Sequence, residues 1–102
     1  MVCIKGDSTD VHEIEVDGIV DYTDYRLEYQ IMKMDDKEFI GTKKVVLPSN
    51  GKFIVFLTPA ETEVLAPQWY MVIVEVIKEV NGVIIFRREL SWKLQITPSF
   101  LN

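Results

Sequence analysis

The chain has 102 residues, 48% of them apolar and 26% charged, with only five Gly and four Pro. That is chain enough for one hydrophobic core, taken here as a single domain over 1–102, and it excludes a disordered tail or a collagen-like repeat. Eleven Lys and Arg against sixteen Asp and Glu leave a net charge of -5, which repels polyphosphate, so no nucleic-acid partner is expected.

The opening segment, Met1 to Asp7, has no basic leader followed by a long apolar run, so a signal peptide is not expected. No apolar run reaches the ~18 residues that a membrane span needs, and no membrane partner is expected. The first strand is predicted over Val2 to Lys5, closed by Gly6-Asp7, and a second over Thr9 to Val16, with His12, Ile14 and Val16 on one face. Asp17-Gly18 ends it. Ile19-Val20 is a short extended piece and Asp21 to Asp24 a turn. Tyr25 to Lys33 then alternates, Tyr25, Leu27, Tyr29 and Ile31 facing one way, as a half-buried strand does.

Met34 to Glu38 is a polar break, and Phe39 to Leu47 the next predicted strand, with Gly41 marking a bulge or bend. Pro48-Ser49-Asn50-Gly51 reads as a turn, because Asn-Gly accepts positive φ. Lys52 to Leu57 is apolar on both faces, which predicts a strand in the middle of the packed structure. One helix is predicted, from Pro59 to about Leu65. Thr58 and Glu61 have capping-box spacing, Pro59 stands at the first helical position, and Ala66-Pro67 stops the helix.

Trp69 to Val80 and Val83 to Thr97, joined by Asn81-Gly82, predict a long hairpin, since that dipeptide suits a tight two-residue turn. Counting outward from the turn sets Trp69 opposite Leu94, Met71 opposite Trp92, Ile73 opposite Leu90 and Ile77 opposite Phe86. One face is then apolar, with a Glu75–Arg88 ion pair that is costly if fully buried and that a bulge at Arg87-Arg88 would remove. The other face carries Tyr70, Val72, Val74 and Val76, more apolar surface than solubility needs. These four are the candidate protein-contact face unless another element covers them. Regularly spaced short strands with one helical turn predict an all-β fold, a β-sandwich.

No catalytic constellation emerges. His12 is the only histidine and Cys3 the only cysteine, which excludes an internal disulfide and the paired thiolates of a zinc site. Cys3 acting as a nucleophile would need His12 beside it, with no third group or oxyanion turn in view. Asp35, Asp36 and Glu38 lack the alternating spacing of a calcium loop and read as a solvated turn. No enzyme activity, cofactor or metal is expected. Charge is uneven: eleven acids and four bases precede residue 39, and five acids and seven bases follow it, so acidic and mildly basic surfaces of separate copies have reason to meet.

The order of short motifs carries a resemblance. Lys5-Gly6-Asp7-Ser8 follows the first strand, and Asp21-Tyr22-Thr23-Asp24-Tyr25 leads into Arg26 to Ile31. Phe56-Leu57-Thr58-Pro59-Ala60-Glu61-Thr62 precedes Leu65-Ala66-Pro67, and Trp69-Tyr70 opens the hairpin that ends in Leu94-Gln95-Ile96-Thr97-Pro98. Across nearly the whole chain this resembles the immunoglobulin-like domain of tailed-phage structural proteins, the kind at the N-terminus of baseplate upper proteins. The resemblance implies an immunoglobulin-like antiparallel β-sandwich with one short helical turn. It also implies a non-enzymatic virion protein, made in the host cytoplasm and bound to other virion proteins at tail, baseplate or head in multiple symmetric copies, with homo-oligomerisation included. A glycan-binding or host-attachment module, stacking sugars on Tyr22, Tyr25 or Trp92, is the alternative.

Overall fold

A computed structural model describes residues 1–99; positions 100–102 of the expected 1–102 domain lie outside the described residues. The strands are β1 (Val2–Ile4), β2 (His12–Ile14), β3 (Tyr25–Lys33), β4 (Phe39–Val46), β5 (Phe53–Val55), β6 (Trp69–Val80) and β7 (Val83–Thr97), with one helix, α1 (Pro59–Glu63). Five strands form one sheet in the order β1-β7-β6-β3-β4, and β2 pairs with β5 in a two-stranded second sheet. The chain is an all-β sandwich, with unequal layers. Its large sheet is mixed, because β1 runs parallel to the end of β7, where an antiparallel sandwich was expected.

Alternation explains the core. Leu27, Tyr29 and Ile31 of β3, Leu94 and Ile96 of β7, and Cys3 of β1 face inward, against Ile14, Phe53, Val55 and Leu57 on the small-sheet side. The second and fifth strands are shorter than predicted because side chains replace ladder bonds at their ends. Thr9 Oγ1 accepts the Leu57 N–H at 2.8 Å while the Thr9 N–H donates to the Leu57 carbonyl. The Val16 N–H donates to the Tyr22 hydroxyl at 2.7 Å. The segment expected in the middle of the structure lies in the small outer sheet instead, where Ile54 and Phe56 are exposed.

The helix keeps its predicted start. Thr58 and Glu61 make both halves of the capping box and Pro59 opens the first turn. Thr62, fully buried, ties the helix to the first turn: its Oγ1 accepts the Gly6 N–H at 3.1 Å and donates to the Asp7 carbonyl at 2.6 Å.

The hairpin forms with Asn81 and Gly82 both at positive φ, as a type I′ turn requires. Its register changes close to the turn. Val80 faces Val83 and Glu79 faces Ile84, but Lys78 faces Phe86, and the shift persists to Trp69 facing Gln95. Ile85 is the extra residue of a bulge. A one-residue slip moves a strand's side chains to the other face, so the pairs predicted beyond the tip do not occur. Glu75 lies opposite Glu89, and Arg88 lies opposite Val76. On the solvent face Glu75 meets the Arg87 Nε at 2.9 Å and the Lys43 Nζ at 3.4 Å.

Candidate functional site

The bulge decides the fate of the predicted contact face. With the shifted register Tyr70 faces Leu94, Val72 faces Trp92 and Val74 faces Leu90. Tyr70, Val72, Val74 and Val76 are 0–1% exposed and belong to the central cluster. They are core, covered by the small sheet and its flanking loops, and offer no surface to a partner. The Tyr70 hydroxyl is satisfied there, donating to the Ala66 carbonyl at 2.6 Å.

The aromatics considered for sugar stacking are also engaged. Tyr22 is buried and meets Phe53 and Tyr25 edge-on. Tyr25 packs edge-on to Phe86, and Trp92 stacks on His12 with centroids 4.2 Å apart. The histidine is thus a packing partner of the hairpin, and among the described residues its Nε2 has no hydrogen-bond partner. Cys3 does not use it: the thiol lies against the carbonyls of Ile4, Asp7 and Ser8. Burial, with Asp7 and Asp10 adding to it, pushes that thiol up, the direction of an unreactive cysteine. In the acidic turn Asp35 and Asp36 accept main-chain N–H groups from Asp36 and Glu38, the role of turn aspartates.

Two surface features bear most directly on function. One is an open cleft of about 440 Å³ between α1 and the β3–β4 edge, lined by Tyr29, Ile31, Ile40, Lys44, Val64 and Leu65 among others. Its polar pair is closed on itself. The Tyr29 hydroxyl donates to Glu61 Oε2 at 3.1 Å, while Glu61 Oε1 accepts the Thr58 N–H at 3.1 Å. Burial first, then the Glu61 charge, pushes Tyr29 up to about 12. The carboxylate therefore caps a helix and holds a neutral phenol, leaving neither group free for proton transfer.

The second feature is the outer edge of β7. Beyond it lies β1, which reaches only Gln95, Ile96 and Thr97. From Val83 to Lys93 no described strand pairs on that side. The direction of its main-chain groups follows from the bonds that do form. The Gln95 N–H donates away from β6, to the Met1 carbonyl, and the Thr97 carbonyl accepts from the Lys5 N–H, whereas the Ile96 N–H donates back to Gln68. Register is constant from Gln95 down to Phe86, so Lys93, Ser91, Glu89 and Arg87 likewise aim their N–H and C=O groups outward.

The opposite edge of the sheet differs. β4 carries Lys43 and Lys44, a register shift against β3, and Gly41 at positive φ, the devices by which edges avoid further pairing. The β7 edge runs without irregularity from Phe86 to Lys93 and ends in exposed Val83, Ile84 and Ile85. Charge along it is uncompensated at one point. Glu28, Glu75 and Glu89 stand in a row across β3, β6 and β7. Arg26 and Lys43 answer Glu28, and Lys43 and Arg87 answer Glu75. Among the described residues Glu89 has no ion pair. The sequence predicts the hairpin but not this edge, because nothing local says that β1 stops at Gln95.

No family model, curated protein or solved structure matches this chain.

Proposed function

We propose that this chain is a non-enzymatic structural protein of a tailed-phage virion, an assembly or decoration module that joins other virion proteins at tail, baseplate or head. The single observation that carries the binding half of this reading is the free β7 edge. An extended row of outward main-chain donors and acceptors beside exposed apolar side chains is a template for strand addition. The virion half rests on the sequence resemblance. Binding by main-chain addition asks for a rigid sheet and no reactive group, which fits a chain whose titratable pair at the α1 cleft is consumed in structure.

Quantitative mass spectrometry of purified particles, heads and tails separated, tests the reading. The expected result is the chain in repeated copies per particle. Ser91→Pro removes an outward N–H without touching the β6 ladder, so the variant should fold and fail to incorporate. A chain absent from particles, or a folded Ser91→Pro protein that incorporates normally, overturns the proposal.

A further inference from the structure

We infer that the free β7 edge pairs with the β7 edge of a second copy, antiparallel about a two-fold axis through Arg88, joining two sheets into one. The inference rests on the reading of this edge as an assembly surface and commits it to one occupant. Three independent features converge on that register.

The first is length. The free edge runs from the turn at Asn81-Gly82 to Lys93, where β1 takes over at Gln95. Arg88 is the midpoint between Val83 and Lys93. An axis there lays Val83 of one copy opposite Lys93 of the other, and the partner's turn ends where β1 begins. β1 is not displaced, and the regular stretch Phe86 to Leu90 that centres on Arg88 lies clear of the bulge at Ile85.

The second is hydrogen bonding. Arg87 and Glu89 aim their main-chain groups outward, whereas Arg88 aims its own at β6. An axis through Arg88 therefore sets Arg87 opposite Glu89 of the second copy as a pair that exchanges both N–H···O bonds, and symmetry repeats it.

The third is charge. Side chains of directly opposed residues share a face, so the same register places each Arg87 guanidinium beside the Glu89 carboxylate that lacks a cation within its own chain. Arg87 uses Nε on Glu75, which leaves its terminal nitrogens for the second carboxylate. Moving the axis by one residue sets Glu89 against Glu89 or Arg87 against Arg87. Phe86 and Leu90, both half-buried, also become neighbours across the Arg88 axis. The one unfavourable element is Arg88 against its own copy, at an exposed position where solvent screens it.

Sedimentation equilibrium on the purified chain tests the inference. Self-association to twice 11.8 kDa is expected, weakened about tenfold or more by Glu89→Arg and likewise by Arg87→Glu, each of which turns attractive pairs into repulsive ones. Mixing these two variants should restore the dimer, since each supplies what the other lacks. Arg88→Gln should tighten association by up to about fivefold. Arg88→Cys should cross-link under mild oxidation, because opposed residues of this pair type have Cα atoms about 4.5 Å apart, within disulfide range. Glu89→Cys, facing Arg87, should not.

Circular dichroism of each variant separates loss of pairing from loss of fold. A wild-type chain that stays monomeric, or a dimer indifferent to Glu89→Arg and not trapped by Arg88→Cys, overturns the inference. A monomer that still enters particles, with entry blocked by Ser91→Pro, removes self-pairing and leaves the assembly reading standing.

Discussion

Val74 gives the sharpest test of the register that the bulge imposes. It is fully buried between Tyr29 of β3 and Leu90 of β7. Truncation to Ala removes two methyl groups, at ~0.8 kcal/mol of transfer free energy each, and adds a cavity term, so Val74→Ala should cost about 2–3 kcal/mol. Asp at the same position sets a carboxylate between Tyr29 and Leu90 with Val72 and Val76 beside it and the exposed Arg88 diagonal to it on β7, a penalty of several kcal/mol. A domain of this size holds about 5–15 kcal/mol in total. Val74→Asp should therefore populate the unfolded state without denaturant, or fold only at low pH with the carboxyl neutral. Val20, 97% exposed, supplies the control, since Val20→Asp should stay within about 0.5 kcal/mol of the parent. Urea titration followed by circular dichroism and tryptophan fluorescence reads all three. If Val74→Asp unfolds at the same midpoint as Val20→Asp, β6 presents its valines to solvent and the bulged register is wrong.

Thr62→Val keeps the shape of the side chain but strands the Gly6 N–H and leaves the Asp7 carbonyl only the weak Cys3 thiol contact, and should cost about 1–3 kcal/mol by chemical denaturation; Thr62→Ser should recover most of it, and equal stability of all three proteins would show that the tether contributes nothing. For Tyr29 the fold favours the neutral phenol, its pKa raised from an ordinary 10 to about 12. That contribution to stability is intact below pH 10 and is lost as pH rises toward 12. Ultraviolet difference titration should show a Tyr29 phase near pH 12 as the difference between the parent and Tyr29→Phe, and superimposable high-pH titrations of the two proteins would refute the assignment.

How far the fold could be read in advance depends on how local its cause is. The capping box at Thr58 and Glu61 was legible because its donors and acceptors lie within four positions of one another. The turn at Asn81-Gly82 was legible because two residues carry its backbone geometry. A bulge at Arg87-Arg88 was the expected way to part Glu75 from Arg88, and the structure places it at Ile85 instead, inside the run Val83-Ile84-Ile85-Phe86 that breaks the alternation. Four apolar residues in a row mark neither face as the inner one, so the pattern does not set the register beside the turn. Pairing that runs straight from the turn gives Trp69, Met71, Ile73 and Ile77 as the inner face of β6, and the bulge at Ile85 puts Tyr70, Val72, Val74 and Val76 there instead. The parallel docking of β1 on β7 has no local signature, being a contact between residues 2–4 and 95–97, so neither the mixed sheet nor the free edge beyond it was readable.

The bulge and the short β1 act together. Without the bulge, odd-numbered residues of β6 would lie above even-numbered ones of β7, and the valines would face water while Glu75 entered the core. With it, Glu75 and Glu89 emerge on the solvent face as opposed like charges, a pairing that is unfavourable within the chain. Arg87 relieves Glu75 alone. The bulge that secures the core therefore leaves one carboxylate unanswered on β7. Because β1 stops at Gln95, that carboxylate stands beside main-chain groups that also lack a strand. An edge designed only to avoid association would carry the lysines and glycine kink of β4. On β7 the charges sit in the order Arg87-Arg88-Glu89, the arrangement in which an antiparallel copy supplies the missing cation.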